Sequence, residues 1–209
     1  MPTFEEIKNN EAVRTYITKA DESLIALGYT EHSFAHVTRV AETAKYILET
    51  LNYSQKEVEL AQIASYLHDI GNLVNRIDHS QSGAVMAFRI LDHMNMPPED
   101  IATIVTAIGN HDEGTGVAVN PVAAALILAD KTDVRRSRVR NADITSFDIH
   151  DRVNLSLIHI LSAYLYQHIQ KQALASCFAI LFNLLPKLHL LQDLCPPHRP
   201  THCTFRVPP

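Results

Sequence analysis

Histidine and aspartate stand side by side at positions 68 and 69, where the apolar run Ile63-Ala64-Ser65-Tyr66-Leu67 gives way to Ile70-Gly71-Asn72. An imidazole offers a metal a neutral nitrogen, and a carboxylate offers a hard anionic oxygen. Neighbours at a helix end can point at one cation. One such pair proves little, so the question is whether the rest of the chain supplies more ligands. It supplies His36, His79, the pair His111-Asp112, and Asp130, each attached to an otherwise apolar stripe. A polar group on such a stripe faces inward, where it must be paired or bound. Histidine is also abundant, at 12 of 209 residues.

This mixed nitrogen and oxygen set suits transition metals better than calcium, which prefers oxygen alone. Iron or manganese fits best, and zinc, cobalt, nickel or magnesium fits the same ligand types. No cysteine joins the set, which excludes the usual structural zinc site. The seven candidates His36, His68, Asp69, His79, His111, Asp112 and Asp130 exceed what one ion needs. One or two divalent ions are therefore expected, with Asp69 bridging if there are two.

The elements that must position these residues are helices. Thr3-x-x-Glu6 is a capping box, and Ile7, Val13, Ile17, Leu24 and Leu27 carry a helical rhythm to Gly28. A second helix is expected over 32–51, with Phe34, Val37, Val40, Ala41, Ala44, Ile47, Leu48 and Leu51 on one stripe. Ser54-x-x-Glu57 opens a third, running to Gly71. Asp78 is placed to cap a fourth. Pro97-Pro98-Glu99-Asp100 opens a fifth that reaches His111-Asp112, and Asn120-Pro121 opens a sixth through Asp130. No segment up to Asp133 alternates as a strand would. The fold class expected is all-α, a helical bundle with short connections.

A net charge of -5 argues against a general nucleic-acid coat protein. The beginning Met1-Pro2-Thr3-Phe4-Glu5-Glu6 lacks the basic and apolar stretches of a secretory signal, and the run 173–185 is short for a membrane span. A cytoplasmic, membrane-free protein is the expectation. Three late cysteines suggest no disulfide framework. Composition changes near residue 153. Beyond it the only charged residues are Lys171, Lys187, Asp193, Arg199 and Arg206, and six of the ten prolines lie there. Residues 1–153 read as the metal-binding domain. Residues 154–209 read either as an apolar appendage, packing on the core or on another subunit of a homodimer, or as sequence translated out of frame.

The order of these words is specific. His36-x-x-Arg39-Val40-Ala41, Leu67-His68-Asp69-Ile70-Gly71, His79-x-x-x-Gly83-Ala84 and Leu128-Ala129-Asp130 together resemble the signature of the HD superfamily of metal-dependent phosphohydrolases, over residues 30 to 135. The resemblance implies an HD-domain-like helical fold and hydrolysis of a phosphate ester by metal-activated water. The implied substrate is a nucleotide or another small phosphorylated metabolite, and no nucleic-acid partner is expected. It implies that His36, His68, Asp69 and Asp130 hold a first metal and that His79 and His111 serve a second. Some two-metal members carry a further histidine where Asp112 stands. Asp69 and Lys131 are then catalytic, with Asp112 or Asp133 as general base. Arg39, Lys131, Arg135 and Arg136 are candidates to hold phosphate oxygens, and His32, four residues before His36, is a candidate to touch substrate. Two other functions fit the same ligands: a nucleotide-sensing module without turnover, and a di-iron oxygenase of the same superfamily.

Overall fold

The computed structural model describes residues 1–155, apart from 113, 115, 144, 146 and 148. Helices in chain order are α1 (Phe4–Asn9), α2 (Glu11–Ala26), α3 (Phe34–Thr50), α4 (Gln55–Leu67), α5 (His79–His93), α6 (Pro98–Gly109), α7 (Pro121–Thr132) and α8 (Ile149–Leu155). Short 3-10 turns cover Ile70–Leu73 and Arg136–Arg138. No strand is present among the described residues, so the all-α expectation holds. None of their helices is long and apolar enough to cross a membrane. Apart from the first two residues, the segment 154–209 lies outside the described residues, and so does its reading as an appendage or a shifted frame.

The helices begin where the sequence signals place them. Thr3 and Ser54 each complete a capping box with the glutamate three residues on, and Asn120 caps α7 through the amide of Ala123. The single helix expected from Thr3 to Gly28 is two. Asn10 leaves helical geometry, and its side chain caps a new helix at Val13, which hydrophobic spacing alone does not reveal. Gly28, Asn52 and Asn95 sit at positive φ just past the ends of α2, α3 and α5. In each case the next amide reaches back to the helix (Tyr29 to Leu24, Tyr53 to Leu48, Met96 to Leu91), the Schellman pattern that satisfies stranded carbonyls. Asp78 precedes α5 in a left-handed conformation, but its side chain makes no capping bond.

At the centre lies α4. Val58, Leu60, Ala61, Ile63, Ala64, Ser65, Tyr66 and Leu67 are all buried, so nearly the whole circumference is covered, as a core helix requires. It packs against α1, α3, α6 and α7, while α3 also packs on α7 and α5 on α6. Alanines at 61 and 64 on α4 and at 123, 124, 125 and 129 on α7 are all buried, and small side chains let helix axes approach closely. The ends of α4, α6 and α7 and the starts of α3 and α5 thereby meet on one side of the bundle.

Gly71 fixes how α5 meets the end of α4. The third helix expected to reach this glycine stops at Leu67, and Gly71 lies within the 3-10 turn instead. It is needed for close approach, not as a helix stop. An added Cβ would run into the backbone oxygen of His79 and would lie 2.5 Å from the amide nitrogen of Gly83. Gly71→Ala is expected to cost about 3 kcal/mol through overpacking. Gly28→Ala meets no atom within 4 Å and should cost only the left-handed strain, about 1 kcal/mol. Urea unfolding of both variants checks this; equal losses would show that Gly71 is not a packing constraint.

Candidate metal centre

Five imidazoles form a row. From His32 the ring centroids step 5.5 Å to His36, 5.3 Å to His68, 4.9 Å to His111 and 5.1 Å to His79, each edge to face. Every ring is held at Nδ1 by an oxygen. His68 meets the carbonyl of Ser65 at 2.7 Å, His111 that of Ile108 at 2.7 Å, His79 that of Arg76 at 3.0 Å and His32 that of Thr30 at 2.7 Å. His36 meets the carboxylate of Asp133 at 2.7 Å. Carbonyls and carboxylates only accept, so Nδ1 donates in all five, and Nε2 is the nitrogen turned toward the centre. Ser65 and Ile108 lie in the last turns of α4 and α6, where helix carbonyls lack an intrahelical partner. Ending the helix at the ligand thus supplies the group that orients the ligand.

The bare nitrogens converge on two carboxylates. Asp69 Oδ2 lies 3.0 Å from His68 Nε2, 3.4 Å from His36 Nε2 and 4.0 Å from His32 Nε2. Asp69 Oδ1 lies 3.5 Å from His79 Nε2 and accepts from Asn72 Nδ2 at 3.0 Å. Asp130 Oδ1 lies 3.3 Å from His36 Nε2 and 3.7 Å from His68 Nε2. Among the described residues, two groups have donor atoms within 4.8 Å of one another: His36, His68 and Asp130, and His68, Asp69 and His111.

A divalent cation fits this arrangement. His36 Nε2, His68 Nε2 and Asp69 Oδ2 are buried without a hydrogen-bond partner, a costly state for three polar atoms unless something else satisfies them. Ligands about 2.1 Å from one ion stand roughly 3.0–3.4 Å apart along the edges of an octahedron or tetrahedron, close to most of these separations. The His and Asp clusters have the donor types of a transition-metal site, and the ligand types leave the metal's identity open.

Electrostatics agrees. Burial pulls the His36 imidazole down, but the neighbouring carboxylates of Asp130, Asp133 and Asp69 lift it to about 9. Burial opposes the charge on His68 too, yet Asp69 and Asp130 raise it to about 10. Burial also works against the carboxylates of Asp69 and Asp130, and the surrounding imidazoles still hold both well below the usual range. His111 goes the other way: burial and the neighbouring His68 charge lower it to about 4. Burial lowers His79 and His32 likewise. Without a cation, the two carboxylates keep protons on His36 and His68, which then stand in for the missing positive charge.

The other expected residues lie around this centre. Asp133 sits behind His36, and Arg135 binds both its oxygens, at 2.7 and 3.0 Å. Arg135 also holds Glu31 at 3.0 Å, whose other oxygen meets the Ser33 hydroxyl. Lys131 stands on the rim, 2.9 Å from Asp130 Oδ2. Arg39 is exposed, with Nε 3.5 Å from Asp133 Oδ1. Asp112 lines the cavity but joins neither three-ligand group. Arg136 is exposed and outside the cavity lining.

Most of the basic run 134–140 is buried or half-buried. Arg138 is buried and donates to the carbonyls of Glu31 and Asp133, and Arg140 grips Asp21 through two bonds at 2.8 and 2.7 Å. These bonds lash the segment before α3 to the segment after α7.

A cavity of about 300 Å³ opens over the centre, and its wall includes Arg76, Arg138, His150, Val153 and Asn154. Sequence reasoning missed Arg76, His150, Val153, Asn154 and Asn72, whereas Arg138 belongs to a basic run that suits a polyphosphate. Asn72 carries a faint signal, since a residue three after Asp69 in a tight turn can reach back to it. The α8 residues carry none; Asn154 reaches the site by accepting from the Arg135 amide at 2.8 Å, across intervening chain.

Proton linkage follows from the shifted imidazoles. His36 and His68 have folded pKa values above 6.5, so their stabilisation of metal-free protein is complete below pH 6.5 and fades as pH rises to about 10. His111 is depressed, so its share is complete above pH 6.5 and fades toward pH 4. A metal bound at His36 and His68 would displace their protons, so its affinity would rise with pH over this upper window. Thermal melts of metal-free protein should decline between pH 7 and pH 10, and added Mn²⁺ should raise the melting temperature more at pH 8.5 than at pH 6.5. A pH-independent metal effect would contradict this linkage.

The family model described as HD domain matches residues 33–145, which span every residue of the two three-ligand groups. An uncharacterized protein of Methanocaldococcus jannaschii is 25% identical over 160 residues, 66% of this chain; the match spans only 61% of that protein's length. The crystal structure of a predicted HD superfamily hydrolase from an uncultured Thermotogales bacterium superposes with a TM-score of 0.50 at 21% identity. That match covers 82% of this chain and 99% of the other, and shows likeness of fold. Helical architecture, the ordered His and Asp ligands and the match across more than half of its length converge: the chain belongs to the HD domain family.

Proposed function

We propose that this chain is a metal-dependent phosphohydrolase acting on a small phosphorylated metabolite, with a nucleotide as the first candidate. The observation that carries this reading is the convergence of three unpaired buried ligand atoms, His36 Nε2, His68 Nε2 and Asp69 Oδ2, beside Asp130 at the floor of a cavity. The fold shared with a crystallised protein described as an HD superfamily hydrolase supports it. His36, His68, Asp69 and Asp130 would hold the metal. A divalent ion at such a site lowers the pKa of a coordinated water and neutralises phosphoryl oxygens.

The chain's own groups do the remaining work. Lys131 and Arg76 bring positive charge to the cavity wall, suited to the non-bridging oxygens of a phosphoryl group. Asp112 faces the cavity outside the ligand groups and is our candidate to take a proton from the attacking water. Asp133 is better suited to positioning. His36 and Arg135 engage its carboxylate, which fixes the His36 tautomer and ring plane. No serine or cysteine nucleophile is needed.

Asp69→Ala should remove most bound metal and abolish turnover. Elemental analysis beside a phosphatase screen on phosphomonoesters, cyclic dinucleotides and dinucleoside polyphosphates, with Mn, Fe, Co and Mg supplied in turn, checks both. Full metal content and turnover in the variant would sink the ligand assignment. Metal retained by the wild type without turnover on any substrate class would replace hydrolysis with nucleotide sensing, and turnover only in air would point to oxidation. Asp133→Asn should weaken metal binding about 10- to 100-fold, as loss of an outer partner does; unchanged affinity by competition with a chelator would count against its positioning role.

A further inference from the structure

His79 meets one residue at both of its nitrogens. Nδ1 donates to the carbonyl of Arg76 at 3.0 Å, which leaves Nε2 as the lone-pair nitrogen, and Arg76 Nη1 lies 3.4 Å from that Nε2. A guanidinium has only N–H to give, so it points a donor at the lone pair a metal would use. At this distance the hydrogen bond is weak. The weight of the contact is electrostatic, a full positive charge beside the ligand atom. Among the described residues, the groups that hold this guanidinium are uncharged. Its Nη1 lies 3.4 Å from Asn72 Oδ1, and its central carbon lies 5.7 Å from the Tyr29 ring centroid.

Two further observations point the same way. His36, His68 and His111 each belong to a three-ligand group, whereas His79 belongs to neither. Asp69 Oδ1, the oxygen nearest His79, is already engaged by Asn72, the same amide that Arg76 touches. The outer side of Asp69 therefore meets a chain of donors ending in a cation that is part of the protein.

We infer that Arg76 stands in for a second cation at His79, so that the resting centre binds one ion per chain, through His36, His68, Asp69 and Asp130. This rests on the reading of the centre as a metal site given above. A second divalent ion bound at His79 would have to displace the guanidinium and overcome its repulsion. The guanidinium supplies positive charge at that end of the cavity without an ion.

The test uses the metal-free full chain and Zn²⁺. After loading and desalting, elemental analysis should give one Zn²⁺ per chain for the wild type and two for Arg76→Leu. The double variant Arg76→Leu, His79→Ala should return to one. Two Zn²⁺ in the wild type, or one in Arg76→Leu, overturns the inference. Side-chain ¹⁵N spectra of the wild type give a reading that needs no variant. Zn²⁺ should move Nε2 of His36 and His68 and leave Nε2 of His79 in place. Movement at all three would overturn this inference alone, whereas no movement at any of them would remove the metal-site reading itself.

Discussion

Every imidazole in the centre is tied at Nδ1 to an oxygen, and the site depends on that tie. A histidine without it can rotate, flip or carry its proton on either nitrogen. With it, all five rings present Nε2 in a known direction, and the nitrogens of His36 and His68 are brought within 3.4 Å of one carboxylate oxygen. Three of the five ties use the carbonyl three residues earlier (Ser65, Arg76 and Ile108), so they form as soon as the local backbone forms. The tie at His36 is different in kind. It comes from Asp133, ninety-seven positions away, and exists only once α3 and α7 have packed.

That convergence works against the apo state. Buried ligand atoms without partners must be charged, protonated or bound, and here the carboxylates of Asp69 and Asp130 make protonation of His36 and His68 the resting solution. A positive charge is therefore demanded at the centre whether a proton or a metal supplies it. The same logic extends to the rim, where Arg76 leans on His79 and Lys131 on Asp130. The bundle carries this arrangement because α4 is buried nearly all round and cannot shift without disturbing α3, α6 and α7 together.

Much of this was legible in the chain. Capping boxes at Thr3 and Ser54 and the cap at Asn120 marked helix starts to the residue, because capping is a contact between neighbours in sequence. The candidate ligands stood out as polar residues on apolar stripes. What escaped were features whose partners are distant or whose signal is small. Asn10 restarts a helix without interrupting the hydrophobic rhythm. Gly71 looks like a helix stop, but the reason only glycine fits is the backbone of residues 79 and 83 pressed against it. The partners of Arg135, Arg138 and Arg140 escaped because nothing local shows that Asp21, Glu31 and Asp133 await them.

The sequence by itself determined the helical class, the helix starts at Thr3, Ser54 and Asn120 and the set of His and Asp residues with donor atoms to offer, since each of these depends on side-chain type and short-range spacing. Tertiary structure decided how those residues divide the work. It placed His36, His68, Asp69 and Asp130 face to face, held the Asp133 carboxylate between His36 and Arg135, and set Arg76 against the one nitrogen of His79 that a metal could use. These assignments depend on distances between side chains far apart in the chain, and only packing sets those distances.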